Sequence, residues 1–392
     1  MRILLVHNRY LQRGGEDAAY DAERDLLRAA GHQVVEYLLD NREVAGRGRI
    51  ALALTTVWSR RARAELAALA ERERPEVAHF HNTLPLVSPA AYAALRRRGV
   101  PVVQTLHNYR LICPGALLLR DGAPCRDCVG RAVPWPGVLH ACYRESRAAS
   151  GVVAAMLAAH RLLGTWGREV DVYVALTRFA RDLFVEGGLP AERIAVRPNF
   201  TPGGSAPDPR APRAGALFVG RMSPEKGADL LLDAWSLLGR TGGLTLAGDG
   251  PDAPALRQRA EKLGARWMGP VPAAEVAAAM RQAAVLVIPS RCYEGFPLVL
   301  GEAFAAGLPV VASRLGAMGE WVEGGRGWTV EPGRPEALAE ALREALADPG
   351  LALGRGQEAR RTWERELSPE IGLERLLAIY RRAREAFARS SA

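Results

Sequence analysis

Two short patterns between Phe218 and Glu302 hold residue types that together can manage a charged phosphate and a hydroxyl-rich ring. The first is Gly220-Arg221-x-x-x-Glu225-Lys226-Gly227, and the second is Glu294-Gly295-Phe296-Pro297-x-x-x-x-Glu302. Arg221 and Lys226 supply fixed positive charge for a diphosphate. Two carboxylates eight residues apart can accept hydrogen bonds from sugar and ribose hydroxyls. Of 52 lysines and arginines in the chain, only Lys226 and Lys262 are lysines. A chain so biased towards arginine that still places a lysine in this pattern favours a compact, flexible ammonium there over a planar fork.

These residues need elements that bring them to one edge. Short β-branched runs alternate with longer amphipathic stretches, the signature of βα units on parallel sheets. Strands are expected at 3–6, 34–38, 77–80, 100–106, 172–176 and 194–197, and again at 215–219, 244–247, 266–268, 285–288, 310–312 and 328–330. The chain therefore reads as α/β with two doubly wound domains. The expected N-terminal domain is 1–200 with an insert at 108–145, followed by a Pro- and Gly-rich linker at 201–213. A second domain at 214–367 and a long C-terminal helix at 368–392 complete it.

Arg221 then stands at the carboxyl end of a strand, with Lys226 in the loop leading to the next helix, where open α/β sheets bind ligands. Glu294 lies in the loop after a very apolar strand, and Glu302 lies about one turn into the following helix, whose first N–H groups can meet an anion. Read alone, the same residues fit a solvated turn, a loop cap and a helix surface, although Glu302 has apolar or small neighbours that make burial of its charge costly. Gly248-Asp249-Gly250-Pro251 signals a tight turn. Gly14-Gly15-Glu16 follows the first strand and precedes a helix, so its glycines suit either close backbone approach to a ligand or a simple loop. His107 ends the strand at 100–106, placed either to bond a sugar or to serve as a structural group.

In this order the motifs resemble the family 4 retaining glycosyltransferases (glycosyl transferases group 1) of the GT-B fold, over nearly the whole chain and most specifically in its C-terminal half. The resemblance implies two Rossmann-like domains facing a central cleft, with the C-terminal helix packing back across both. It also implies transfer of a hexose from a nucleoside diphosphate sugar with retention of anomeric configuration. The implied catalytic set is Arg221 and Lys226 on the leaving diphosphate, Glu294 on the donor sugar and His107 near the transferred sugar. The implied donor-binding set is Gly14, Gly15 and Gly220, the backbone of Phe296, Leu298 and Val299, and Glu302 on the ribose. No cofactor is expected for the reaction itself. Acceptors in cell-surface polysaccharide or glycolipid assembly fit best, with a soluble acceptor or a nucleotide-sugar epimerase on the same architecture as alternatives.

Cys113, Cys125, Cys128 and Cys142 form C-x11-C-x2-C-x13-C, which reads as a structural zinc set, as free or transiently paired thiols, or as disulfides or an iron cluster. Cys292 stands apart and suits packing. A net charge of +9 favours acidic partners, and runs at 60–63, 96–98 and 381–384 fit solvated helix faces as well as an anionic membrane surface. Nucleic acid is not expected, because the basic residues are not interleaved with an aromatic platform. The N-terminal apolar run is too short for a signal peptide, and no stretch is long enough to span a bilayer. A cytoplasmic protein, including one at the inner face of the membrane, is expected.

Overall fold

Residues 77–80 and 285–288 are apolar throughout except for one histidine, and every residue of both runs is buried, as required of strands covered by helices on both faces. The computed structural model describes residues 1–204, 208, 210–239 and 243–391; the expected linker residues Ser205, Ala206, Pro207 and Pro209 lie outside them. Residues 1–118, 126–198 and 372–392 make one compact unit, and residues 119–125 and 199–371 make another.

In chain order the strands are β1 (Arg2–Arg9), β2 (Gln33–Asp40), β3 (Val77–Phe80), β4 (Val102–Leu106), β5 (Leu119–Arg120), β6 (Ala123–Pro124), β7 (Val172–Ala175) and β8 (Ile194–Val196). They continue as β9 (Ala216–Val219), β10 (Leu244–Ala247), β11 (Arg266–Gly269), β12 (Val285–Ile288), β13 (Val310–Ser313) and β14 (Gly327–Val330). One parallel sheet runs β2-β1-β3-β4-β7-β8, and a second runs β11-β10-β9-β12-β13-β14. The twelve expected strands are all present. The two-residue antiparallel pair β5–β6 was not expected, since so short a run carries no readable period.

Each sheet reverses its strand order once. In the first, Leu4 of β1 pairs with Val35 of β2 on one side and Ala78 of β3 on the other. In the second, Leu217 of β9 pairs with Thr245 of β10 and Leu286 of β12. Such switch points open a crevice beyond the carboxyl ends of the strands, where loops diverge to opposite faces. The C-terminal helix Pro369–Ser391 contributes Leu376, Ile379, Tyr380 and Ala383 to the core of the first unit, against Ile3, Leu5 and Tyr20. Trp235, Leu231 and Leu246 centre the core of the second.

Candidate functional site

At the switch point of the second sheet, β9 runs out into Gly220-Arg221 and β12 runs out into Pro289-Ser290. After Arg221 the chain makes a short 3-10 turn, Pro224–Lys226, and enters the helix Ala228–Leu237 through Gly227. Gly227 has φ +70°, and a Cβ there would sit 2.1 Å from the carbonyl oxygen of Pro289. Only glycine lets the lysine loop lie against the loop after β12. Gly227→Ala is expected to cost about 1–3 kcal/mol, read as a lower unfolding midpoint.

That contact brings the two sequence patterns together. Lys226 Nζ donates to Glu294 Oε1 at 2.7 Å, and Ser290 Oγ donates to the same oxygen at 2.7 Å. The lysine side chain keeps 29% of its surface exposed and the glutamate 11%. Burial pulls the ammonium down, yet the Glu294 carboxylate and its hydrogen bond hold it above its ordinary range, so Lys226 stays charged. Arg291 fastens the loops from below. Its backbone N–H donates to Glu225 O at 2.8 Å, and its guanidinium makes two 2.7 Å bonds to Asp229.

Gly248-Asp249-Gly250-Pro251 proves to be the support of the Arg221 loop. Met222 N donates to Asp249 O at 2.9 Å, and Asp252 N donates back to Met222 O at 2.9 Å. A Cβ on Gly248 would lie 1.9 Å from Gly220 O. Arg221 itself is exposed.

The helix Leu298–Ala305 begins after Pro297, so by helix geometry the N–H groups of Leu298 and Val299 point out of its first turn. Phe296 is buried edge-to-face on Trp321, and its carbonyl accepts from Asn199 Nδ2 at 3.1 Å. Glu302 is partly buried, burial pushes its carboxyl up, and its side chain has no ion-pair or hydrogen-bond partner among the described residues. Cys292 is buried, and burial first of all holds its thiol protonated.

In the first unit the turn at Gly14-Gly15 caps the helix Gly15–Ala29, and Gly14 N donates to Asp17 Oδ2 at 3.0 Å. A Cβ on either glycine would meet nothing within 4 Å, so the space beside them is open. Glu16 ties this turn to the one after β4: its carboxylate accepts from Asn108 Nδ2 at 2.5 Å and from Tyr10 OH at 2.9 Å. Neighbouring Asn108, His107 bonds through Nε2 to His81 Nδ1 at 2.9 Å.

Behind His107 lies a buried cluster. His81 Nε2 is 3.3 Å and His79 Nδ1 is 2.8 Å from Glu23 Oε1, while Arg197 donates to Glu23 Oε2 at 2.8 Å. Burial, then the neighbouring His79, pushes His81 down to about 4 against the pull of Glu23. Burial, then His81, also holds His107 well below its ordinary value, so at neutral pH it is an uncharged imidazole.

Residues 19–202 match the family model "Glycosyltransferase Family 4", and residues 213–348 match "Glycosyl transferases group 1". The D-inositol 3-phosphate glycosyltransferase 1 of Catenulispora acidiphila is 32% identical over 345 residues, covering 79% of this chain and 73% of that protein. The chain belongs to the family 4 glycosyltransferases. The glycogen synthase of Mycobacterium tuberculosis is 30% identical over 300 residues, which cover 73% of this chain; the chain spans 64% of the length of that relative. Among solved structures, Anabaena HepE in complex with UDP aligns with a TM-score of 0.68 at 17% identity, over 96% of this chain and 99% of that one. The fold of this family 4 glycosyltransferase is thus the two-domain α/β GT-B class.

Within the glycosyltransferase, Lys226 and Glu294 are in direct contact, with Gly220 and Arg221 on the adjoining loop and Phe296, Leu298, Val299 and Glu302 at or after the loop following β12. Gly14, Gly15 and His107 fall in the other unit. The four cysteines, read from their spacing as a zinc set, as free or paired thiols, or as disulfides or a cluster, are all free thiols here. Among the described residues, the group with ligand atoms within 4.8 Å of one another is Glu23, His79 and His81, and the cysteines supply none. Cys113 and Cys128 are buried, and burial pushes the Cys113 thiol up.

Sequence reading passed over Ser290, Arg291, Glu23, His79, His81 and Arg197. The His79-x-His81 spacing at the end of a strand was a readable signal, since alternate residues share a face.

Proposed function

We propose that this glycosyltransferase moves a hexose from a nucleoside diphosphate sugar to a hydroxyl acceptor with retention of anomeric configuration. The observation that carries the reading is the Lys226–Glu294–Ser290 contact at the switch point of the second sheet, beside Arg221 and the start of the Leu298–Ala305 helix. UDP bound in the Anabaena relative of the same fold supports a nucleotide-sugar donor.

In this reading Lys226 and Arg221 meet the diphosphate, the N–H groups of Leu298 and Val299 meet a phosphate or sugar oxygen, and Glu302 accepts from the ribose hydroxyls. Glu294 orients Lys226 and accepts from the donor sugar. As the bond between the anomeric carbon and the diphosphate oxygen breaks, negative charge builds on the leaving group and positive charge on the sugar ring. Fixed cations already in place lower that barrier without reorganising. The acceptor oxygen bonds the anomeric carbon on the face being vacated, and its proton passes to a leaving phosphate oxygen. Neutral His107 bonds a hydroxyl of the transferred sugar. A lipid-linked or glycan acceptor in cell-surface assembly accords with the +9 net charge.

The test is nucleoside diphosphate release from a panel of UDP-, GDP- and ADP-sugars, with and without bacterial membrane lipid. Release from one donor, raised by lipid, is expected. No release from any donor, or an isomerised sugar nucleotide formed without acceptor, would count against transfer.

A further inference from the structure

Large apolar side chains stand in water on one group of packed helices in the first unit. On the helix Arg49–Val57, Ile50 and Leu54 lie one turn apart on the same face and are 79% and 67% exposed. At the end of the helix Arg147–Leu162, Leu162 and Leu163 are 90% and 55% exposed. The two helix ends meet: His160 Nε2 is 2.9 Å from Val57 O, and the His160 ring stacks on Trp58 at 5.6 Å. A third helix, Trp135–Leu139, joins them where Arg147 Nε donates to Leu139 O at 3.2 Å, and it exposes Trp135 and Leu139 with Arg131 over the Trp135 ring.

The segments that carry these helices are poor in acid. Residues 46–63, 128–144 and 146–168 contain no aspartate or glutamate, although the chain holds 43 of them. Arg47 pairs with Glu43, and Arg61 with Glu43 and Glu65, carboxylates outside these stretches, but exposed Arg49 and Arg60 have no acidic partner among the described residues. No helix among those residues is long and apolar enough to cross a membrane.

We infer that this face docks on an anionic lipid bilayer in the interfacial mode. Ile50, Leu54, Leu162 and Leu163 enter the acyl boundary, and Arg49 and Arg60 meet lipid phosphates. Exposed apolar side chains beside arginines without acidic partners suit a surface that is oily within and negative at its rim. A second copy of the chain suits it less, because a two-fold contact would set arginine against arginine. The inference gives the lipid-linked acceptor of the proposed function its physical setting and rests on that reading for its purpose. Binding is measured without donor, so the two fail separately.

The experiment is co-sedimentation of the full chain with phosphatidylglycerol–phosphatidylcholine vesicles and with pure phosphatidylcholine vesicles, at low and high salt. Binding to the anionic vesicles is expected to be about tenfold tighter than to the neutral ones and to weaken with salt. Leu54→Ser combined with Leu162→Ser should reduce it about tenfold or more. Leu237→Ser, at a leucine of the second unit that is 54% exposed, should leave it unchanged. Because the substituted side chains are exposed, unfolding midpoints should stay at the wild-type value. Absence of binding at low salt, or a double variant that binds like wild type, overturns the inference. So does a lipid-free dimer that the double variant dissolves, which would give the face to a second copy. Nucleoside diphosphate release without vesicle binding also overturns it and leaves the transfer reading standing.

Discussion

Replacing Lys226 by alanine is expected to lower nucleoside diphosphate release by about a hundredfold or more, the scale set by removing a preorganised charge donor from a developing anion. The ammonium is held by Glu294 at 2.7 Å on a loop that Gly227 and Arg291 fix in place, so it is positioned before any substrate arrives. Alanine also leaves Glu294 short of a cation in a largely buried position, with only Ser290 among the contacts described above still donating to it. Lys226→Arg should recover less than a conservative exchange suggests, because a planar fork does not repeat a compact point charge. Glu294→Gln should chiefly slow transfer and leave donor binding near wild type. Lys262→Ala, the other lysine, on the helix Ala253–Lys262, should change neither. Steady-state kinetics beside a thermal unfolding scan separate lost chemistry from lost fold. Unchanged release in Lys226→Ala would remove the lysine from the site.

The second large effect concerns stability. Arg197 and Glu23 form an ion pair whose side chains are 2% and 4% exposed. Removing one partner of such a pair typically costs about 3–5 kcal/mol because the other charge stays buried alone. Arg197→Ala is therefore expected to lower the unfolding midpoint of the first unit by about 10 °C. Adding Glu23→Gln should recover part of the loss by removing the stranded charge.

The same cluster makes the fold sensitive to acid. Burial pushes the Glu23 carboxyl up, but Arg197, then His79 and His81, hold it well below the usual carboxylate range. Its stabilisation is complete at neutral pH and disappears only as pH falls through that lowered value. His81 is kept neutral down to about 4, whereas an unfolded histidine takes up a proton near 6.5. Between those values the unfolded chain binds more protons, so stability should fall as pH drops, by at most about 1.4 kcal/mol per unit for this histidine. His81→Gln should flatten that slope. A midpoint indifferent to Arg197→Ala, or to pH between 6.5 and 4, would contradict this account of the cluster.

Much of this was open to reading in one dimension because it depends on local period and type. Buried parallel strands are short apolar runs, so β3, β10 and β12 were placed to the residue. The lysine and carboxylate patterns were legible because each begins at a strand end, where ligands bind, and one carries one of only two lysines. The cysteine segment was not. Six of the eight described non-glycine residues with left-handed backbone lie between Ala116 and Glu145, a conformation that no side-chain pattern announces. Spacing left metal, free thiols and disulfides open, and the group of metal-ligand type with atoms close together among the described residues, Glu23, His79 and His81, includes none of these cysteines.

By itself, then, the sequence determined which residues carry charge, which runs make strands and at which strand ends the lysine and glutamate patterns begin. Only the tertiary structure decided that Lys226 and Glu294, 68 positions apart, share a hydrogen bond. It also decided that His107 leans on His81 before an ion pair joining Glu23 to Arg197, 174 positions away. Contacts between distant positions follow from strand order and from close approach of backbones. Here that means the reversal at β9 and β12 and a glycine with no Cβ against Pro289, and neither leaves a periodic trace along the chain.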